Sequence, residues 1–286
     1  MTPMLHHGTP MYVRPRTLDE AVRALEAPDV QILAGGTDFY PAHVGRVVSA
    51  PVVDITAIDE IDGITEASGE FRIGGGTTWS ELIATPLPRC FDALKAAARE
   101  VGSIQIQNRA TIAGNLCNAS PAADGVPPLL ALDAEVELVS RTGARRLSLD
   151  RFITGNRKTE RRPDEIMTAI IVPKTIEGPS AFLKLGARRY LVISIAMVAA
   201  VIEGDGKGAV TQARIAVGSC SAVARRLPEL EQRLRGASCK PGIGELVESK
   251  HLAALSPIDD VRATADYRSD AARTLVARAI EQCVGA

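Results

Sequence analysis

The stretch from Thr111 to Asp124 constrains this chain more than any other. It reads Thr-Ile-Ala-Gly-Asn-Leu-Cys-Asn-Ala-Ser-Pro-Ala-Ala-Asp, so nearly every residue is small, an amide or a hydroxyl. A core strand shows alternating branched residues, and a surface helix shows a face rich in Lys and Glu. Neither pattern is present, and the stretch reads as an open turn that brings backbone close to a ligand. Gly114 removes the Cβ that would hold a ligand away. Asn115, Asn118 and Ser120 supply short donors, and Asp124 supplies an acceptor suited to a ribose or ribityl hydroxyl. Consecutive backbone N–H groups in a turn form a concavity for anionic oxygen, so the stretch suits a phosphate ester that also carries polyols.

A second stretch has the same character. Leu33, Ala34, Gly35, Gly36, Thr37 and Asp38 follow the apolar run from Val30, which reads as a short strand. Paired glycines after a strand, followed by Thr and Asp, predict a tight turn with outward amides. Such a turn also serves as a plain connection; two of them in one chain suit the two phosphates of a dinucleotide. Neither matches the G-x-G-x-x-G fingerprint or the P-loop.

These two motifs resemble those of the FAD-binding medium subunit of the molybdenum hydroxylases, the carbon monoxide dehydrogenase and xanthine dehydrogenase type. There, an Ala-Gly-Gly motif followed by Thr or His and a Thr-Ile-Gly-Gly-Asn motif hold the FAD pyrophosphate between two subdomains. Ala34 to Asp38 and Thr111 to Asn115 match them, with Ala113 where the first Gly of the second motif is usual, a difference of one methyl. The resemblance runs from about Tyr12 to about Cys283 and includes the terminal Asp266-Tyr267-Arg268 segment. It implies cofactor contacts from Leu33, Ala34, Gly35, Gly36, Thr37, Asp38, Thr111, Ala113, Gly114, Asn115, Ser120 and Asp124, with Lys184 reaching toward the flavin or standing as an uninvolved surface lysine. Thr77 and Thr78 resemble a segment beside the flavin, though the glycines before them also suit a plain turn; Tyr190 and Val192 remain alternatives for covering the ring.

The implied fold is α+β: a two-subdomain FAD-binding domain of the type shared with vanillyl-alcohol oxidase and carbon monoxide dehydrogenase flavoprotein, then a smaller α+β domain with an antiparallel sheet and helices. At 286 residues, two or three compact units are expected, and we divide them as 1–57, 58–176 and 177–286. Strands are expected at Tyr12–Pro15, 30–33 and 52–55, with a helix from the capping box at Thr17-Leu18-Asp19-Glu20 to about Ala27. The second unit carries an amphipathic helix from Phe91 to Val101 and a strand from Ser103 to Gln107, where polar residues alternate with Ile104 and Ile106. Beyond Asp124 come a short helix at 129–132, strands at 134–140, 146–149 and 166–172, and between the last two a basic loop from 155 to 163. That loop reads as a solvated face, or more sharply as a docking surface for another subunit. The last unit is expected to hold the apolar run from Leu191 to Ile202, an antiparallel strand from Val210 and helices near Pro228–Leu234 and from Tyr267 to Cys283.

Aromatics make up 3% of the chain and the formal charge is -1, which argues against base-stacking platforms and a polyanion partner. Five cysteines, at 90, 117, 220, 239 and 283, include no C-x-x-C pair, so neither a disulfide framework nor a metal or iron–sulfur site is expected, and a cytoplasmic location follows. His6 and His7 read as a disordered start rather than ligands, and neither a leader nor a membrane span is expected.

What the resemblance implies is an electron-transfer subunit. A large molybdopterin subunit would oxidise the substrate, a small subunit would carry electrons through two [2Fe–2S] clusters, and FAD here would pass them to NAD, quinone or oxygen, in a dimer of heterotrimers. The inserted cysteine loop of benzoyl-CoA-type reductases is not seen, which favours a hydroxylase or dehydrogenase setting. Substrate choice would reside in the large subunit. The competing readings are a self-sufficient FAD-dependent oxidoreductase, for which only His43 lies near either motif, and a scaffold that has lost FAD.

Overall fold

Thr17 opens the first helix of the computed structural model, which describes residues 12–285, by accepting the Glu20 N–H at 3.2 Å. His6 and His7 lie outside the described residues. The first unit runs β1 (Tyr12–Val13), α1 (Leu18–Ala24), β2 (Gln31–Leu33), α2 (Phe39–Ala42) and β3 (Val52–Asp54). Its three strands form a parallel sheet in the order β1-β3-β2. Parallel strands require crossovers, and α1 carries the chain from β1 to β2, on the two sides of β3, burying its own Ala21 and Val22. The glycine turn therefore leaves the carboxyl end of β2, the usual ligand end of a parallel sheet.

The second unit begins with β4 (Ile64–Ala67), β5 (Glu70–Gly74), α3 (Trp79–Ala84), α4 (Asp92–Glu100), α5 (Ile104–Gln107), α6 (Ile112–Asn118) and α7 (Val126–Ala131). It continues through β6 (Glu135–Ser140), β7 (Gly143–Ser148), α8 (Leu149–Phe152), the hairpin β8 (Ile153–Gly155) and β9 (Lys158–Thr159), and β10 (Ile166–Pro173). Five strands pair antiparallel in the order β4-β5-β10-β6-β7. Alternation along β6 buries Val136 and Leu138 and turns Glu137 outward, where it meets Arg72 at 2.7 Å.

Two expectations are corrected here. Residues 104–107 form a helical turn rather than a strand, with the Gln107 N–H bonded to Ser103 O at 2.9 Å. Alternation over so few residues fits one turn as well as a strand, and the buried Gln107 amide finds Arg99 O at 3.1 Å. Likewise the first half of the 111–124 stretch is the helix α6, capped by Thr111, rather than an open turn.

The last unit is β11 (Ser180–Leu185), β12 (Ala196–Gly204), β13 (Val210–Gly218), β14 (Arg225–Arg226), α9 (Pro228–Leu234) and α10 (Ala265–Val284). Its strands form an antiparallel meander in sequence order. The expected strand from Leu191 starts only at Ala196, because Leu191 takes a positive φ of 51° in the preceding loop. Every residue from Ala196 to Ile202 is buried, since β12 is covered on both faces. Met197, Ala199 and Val201 join a core with α4 and α7, whereas Val198, Ala200 and Ile202 join one with Ala272, Val276 and Ile280 of α10. This shared core holds the carboxy-terminal sheet against α4 and α7, the helices before and after the one that carries the second motif.

Candidate cofactor site

The two glycine motifs meet at backbone distance. A Cβ on Gly35 would stand 1.9 Å from Arg109 O, so only glycine lets the first turn rest on the segment that leads into the second motif. That segment is itself fixed: Trp79 N–H reaches Ala110 O at 3.2 Å, and Ile112 N–H reaches Thr77 O at 3.1 Å. Between the motifs lies a cleft of about 400 Å³, within the range of small-molecule and cofactor sites.

The walls differ in how their polar groups are engaged. Gly36 takes a φ of +77°, and the turn it shapes leaves four successive amides, from Gly35 to Asp38, with no acceptor among the described residues. On the opposite wall, Gly114 N–H donates to Thr111 Oγ1 at 3.0 Å and Asn115 N–H to Thr111 O at 3.1 Å, while no acceptor among the described residues reaches Ala113 N–H. Two buried polar atoms beside the cleft also have no partner among the described residues, Asn115 Oδ1 and Trp79 Nε1. A buried amide or indole without a partner is costly, so a wall carrying both, facing free amides, fits a polar ligand.

Ala34, Gly35, Gly36, Thr37 and Asp38 from the first turn line this cleft together with Thr111, Ala113, Gly114 and Asn115 from the second. The remaining expected residues stand elsewhere. Leu33 is buried in the core, and Ser120 Oγ accepts the Ala122 N–H at 3.3 Å. Asp124 and Lys184 form a buried ion pair at 2.7 Å, and Ser194 Oγ donates to the same carboxylate at 2.8 Å. Burial pushes the Asp124 carboxyl up, against the opposing pull of Lys184. Lys184 borders a separate cavity of about 450 Å³ with Glu100, Arg188, Arg189 and Val192. Thr77 Oγ1 donates to Gly63 O at 2.9 Å, and Thr78 caps α3, so both hydroxyls are engaged structurally.

Asn118, expected as a short donor, and Cys117, within the same stretch, also line the cleft, whereas sequence reasoning gave no role there to Phe39, Trp79, Arg161 and Met167, which line it too. Cys117 and Asn118 stand three and four residues beyond Gly114, the helical spacing that would have placed them on its face had α6 been recognised. The Cys117 thiol is pushed up to about 11 by burial, and the nearby Arg161 guanidinium opposes that shift. Arg161 belongs to the basic stretch read as a solvated or docking surface; it instead turns inward from the end of the β8–β9 hairpin.

Residues 6–175 match the family described as the FAD binding domain in molybdopterin dehydrogenase, and residues 181–283 match the CO dehydrogenase flavoprotein C-terminal domain. The chain belongs to the FAD-binding subunits of the molybdopterin dehydrogenases. It is 33% identical over 282 residues to the xanthine dehydrogenase FAD-binding subunit of Escherichia coli O157:H7, covering 96% of each chain. It is 35% identical over 235 residues to the nicotinate dehydrogenase FAD-subunit of Eubacterium barkeri, covering 79% of each. Among solved structures, carbon monoxide dehydrogenase from Hydrogenophaga pseudoflava superposes with a TM-score of 0.86 at 28% identity, covering 96% of this chain and 97% of that one. The cofactor of this FAD-binding subunit is FAD, and the protein is an oxidoreductase subunit of α+β fold. The free amides of 35–38 and the open side of Gly114 fit its pyrophosphate.

Proposed function

We propose that this chain is the electron-transfer subunit of a molybdenum hydroxylase complex, receiving electrons from the [2Fe–2S] clusters of a small partner and delivering them to an external acceptor. FAD supplies the redox chemistry when bound. The chain's own residues bind and orient it: the amides of Gly35 to Asp38 grip the pyrophosphate from one side, and Ala113, Gly114 and Asn115 face it from the other. The Asp124–Lys184–Ser194 cluster holds the carboxy-terminal sheet against the stretch that follows α6. The division at 57/58 and 176/177, a cytoplasmic location and a dimer of heterotrimers with a large molybdopterin subunit belong to the same proposal. Among the described residues no helix is long and apolar enough to cross a membrane.

The observation that carries this reading is the cleft between the two glycine motifs, where the amides of Gly35 to Asp38 and of Ala113 have no acceptor among the described residues. Native purification tests it, with a visible spectrum and mass spectrometry of the accompanying chains. Flavin bands with a large and a small partner, molybdenum and iron are expected. Flavin without partners would replace the proposal by a self-sufficient oxidoreductase. Reoxidation of the chemically reduced complex by NAD, a quinone and oxygen, offered in turn, would then identify the acceptor.

A further inference from the structure

Of the described residues lining the cofactor cleft, Arg161 is the only cation and Asp38 the only acid. Arg161 Nη1 is held by three carbonyls, Arg162 O at 3.0 Å, Pro163 O at 3.4 Å and Glu165 O at 2.9 Å. These bonds fix the head of a long side chain that otherwise loses considerable freedom on binding. Neither Nε nor Nη2 has a hydrogen-bond partner among the described residues, and no carboxylate pairs with this guanidinium there. The contrast with Arg145 is direct: it meets Glu165 through Nε at 2.6 Å and Nη2 at 2.9 Å. The charge of Arg161 is felt at Cys117, which shares a helical face with Ala113 and Gly114 one turn earlier.

We propose that Arg161 supplies the positive charge that holds the FAD pyrophosphate, acting from the β8–β9 side of the cleft across the Gly114 face of α6. This rests on the cleft being the FAD site. The amides of both motifs are neutral donors and orient the phosphates; they do not balance a doubly charged group inside a cleft. A guanidinium with one edge pinned to carbonyls and the other edge free offers a preorganised fork for phosphate oxygen. The role is one of binding, and the electron transfer itself does not involve this side chain.

The test measures FAD and ADP affinity of the full-length chain, stripped of flavin, for wild type, Arg161→Gln and Arg161→Lys, at low and high ionic strength. Arg161→Gln is expected to weaken both ligands by about ten- to a hundredfold at low salt, with the difference shrinking at high salt. Arg161→Lys should retain part of the affinity and most of the salt dependence. Arg161→Gln binding FAD as wild type does at both salt concentrations would overturn the proposal, as would an equal loss at both, which would indicate stacking rather than charge. Should Arg161→Gln not fold, the wild type decides: FAD affinity falling with salt while riboflavin affinity stays constant supports the charge, and a salt-independent FAD affinity removes it. Failure of the wild type to bind FAD at all would instead overturn the assignment of the cleft.

Discussion

The first glycine turn and the Asp124–Lys184–Ser194 cluster are both rich in polar groups, yet they treat those groups oppositely. The turn leaves the amides of residues 35–38 without acceptors among the described residues beside a cleft, whereas in the cluster the carboxylate accepts from both Lys184 and Ser194 and the ion pair is buried. A site that binds must keep donors unengaged. A clamp between layers must engage them, because a buried charge without a partner is strongly unfavourable. Residues that look alike in sequence, all small or polar within or near the two motifs, therefore divide into ligand-facing and structural groups only when their partners are known.

The largest effect is expected where that division is broken on the clamp side. Asp124→Ala leaves the Lys184 ammonium buried and unpaired, and should lower stability by about 3–5 kcal/mol in denaturant unfolding. Combining it with Lys184→Met should recover much of that loss, since a matched apolar pair carries no stranded charge. If Asp124 instead met a cofactor hydroxyl, as its place in the sequence suggests, the single substitution would weaken FAD binding and leave the flavin-free protein as stable as before.

The two glycines sharpen the comparison within the cleft. A Val side chain at Gly35 meets the Arg109 carbonyl, so Gly35→Val should push the motifs apart, cost about 3 kcal/mol of stability and abolish flavin retention together. At Gly114 the nearest atom to an added Cβ is Thr111 Oγ1, at 2.8 Å, and the rest of that side is open. Gly114→Val should therefore cost only about 1 kcal/mol through the disturbed cap, yet still remove the flavin. Flavin content and melting temperature measured on both variants separate these outcomes; a Gly114→Val protein with full flavin content would take Gly114 out of the site.

The first motif was legible as a turn because a glycine pair follows a strand, whereas the second was legible as a run of small residues but not as the helix that its first half forms. The β-meander and α10 were legible for a different reason, the clear apolar periods of Val210–Val217 and Tyr267–Cys283. What was not legible depended on partners distant in the chain. Lys184 carries the same charge in either role, and only the approach of Asp124 to 2.7 Å distinguishes a clamp from a flavin contact. Arg161 sits in a run of basic residues that composition assigns to solvent, and only the hairpin turns it into the cleft. The helical turn at 104–107 was misread because four residues satisfy both periods.

Arg268 extends the engaged pattern to the carboxy-terminal unit and gives the smallest of these effects, one read through pH. Its buried guanidinium donates to Ile195 O at 2.6 Å, Ser219 O at 3.1 Å and Asp260 Oδ1 at 2.7 Å, tying the loop before β12 to the start of α10. The Arg262 backbone N–H, then the Arg268 and Arg262 side chains, hold the Asp260 carboxyl down to about 2, from an ordinary 3.8. A carboxylate depressed in the folded state adds stability that is complete above its unfolded value. That contribution falls away as pH drops from 3.8 through about 2, where both states become protonated. Asp260→Asn should thus be less stable than wild type by a constant margin above the ordinary value and converge on it in acid. Thermal unfolding followed across that interval checks the sign: a margin that stays constant down to the lowest pH would mean that the Arg262 and Arg268 contacts act through packing rather than through the charge of Asp260.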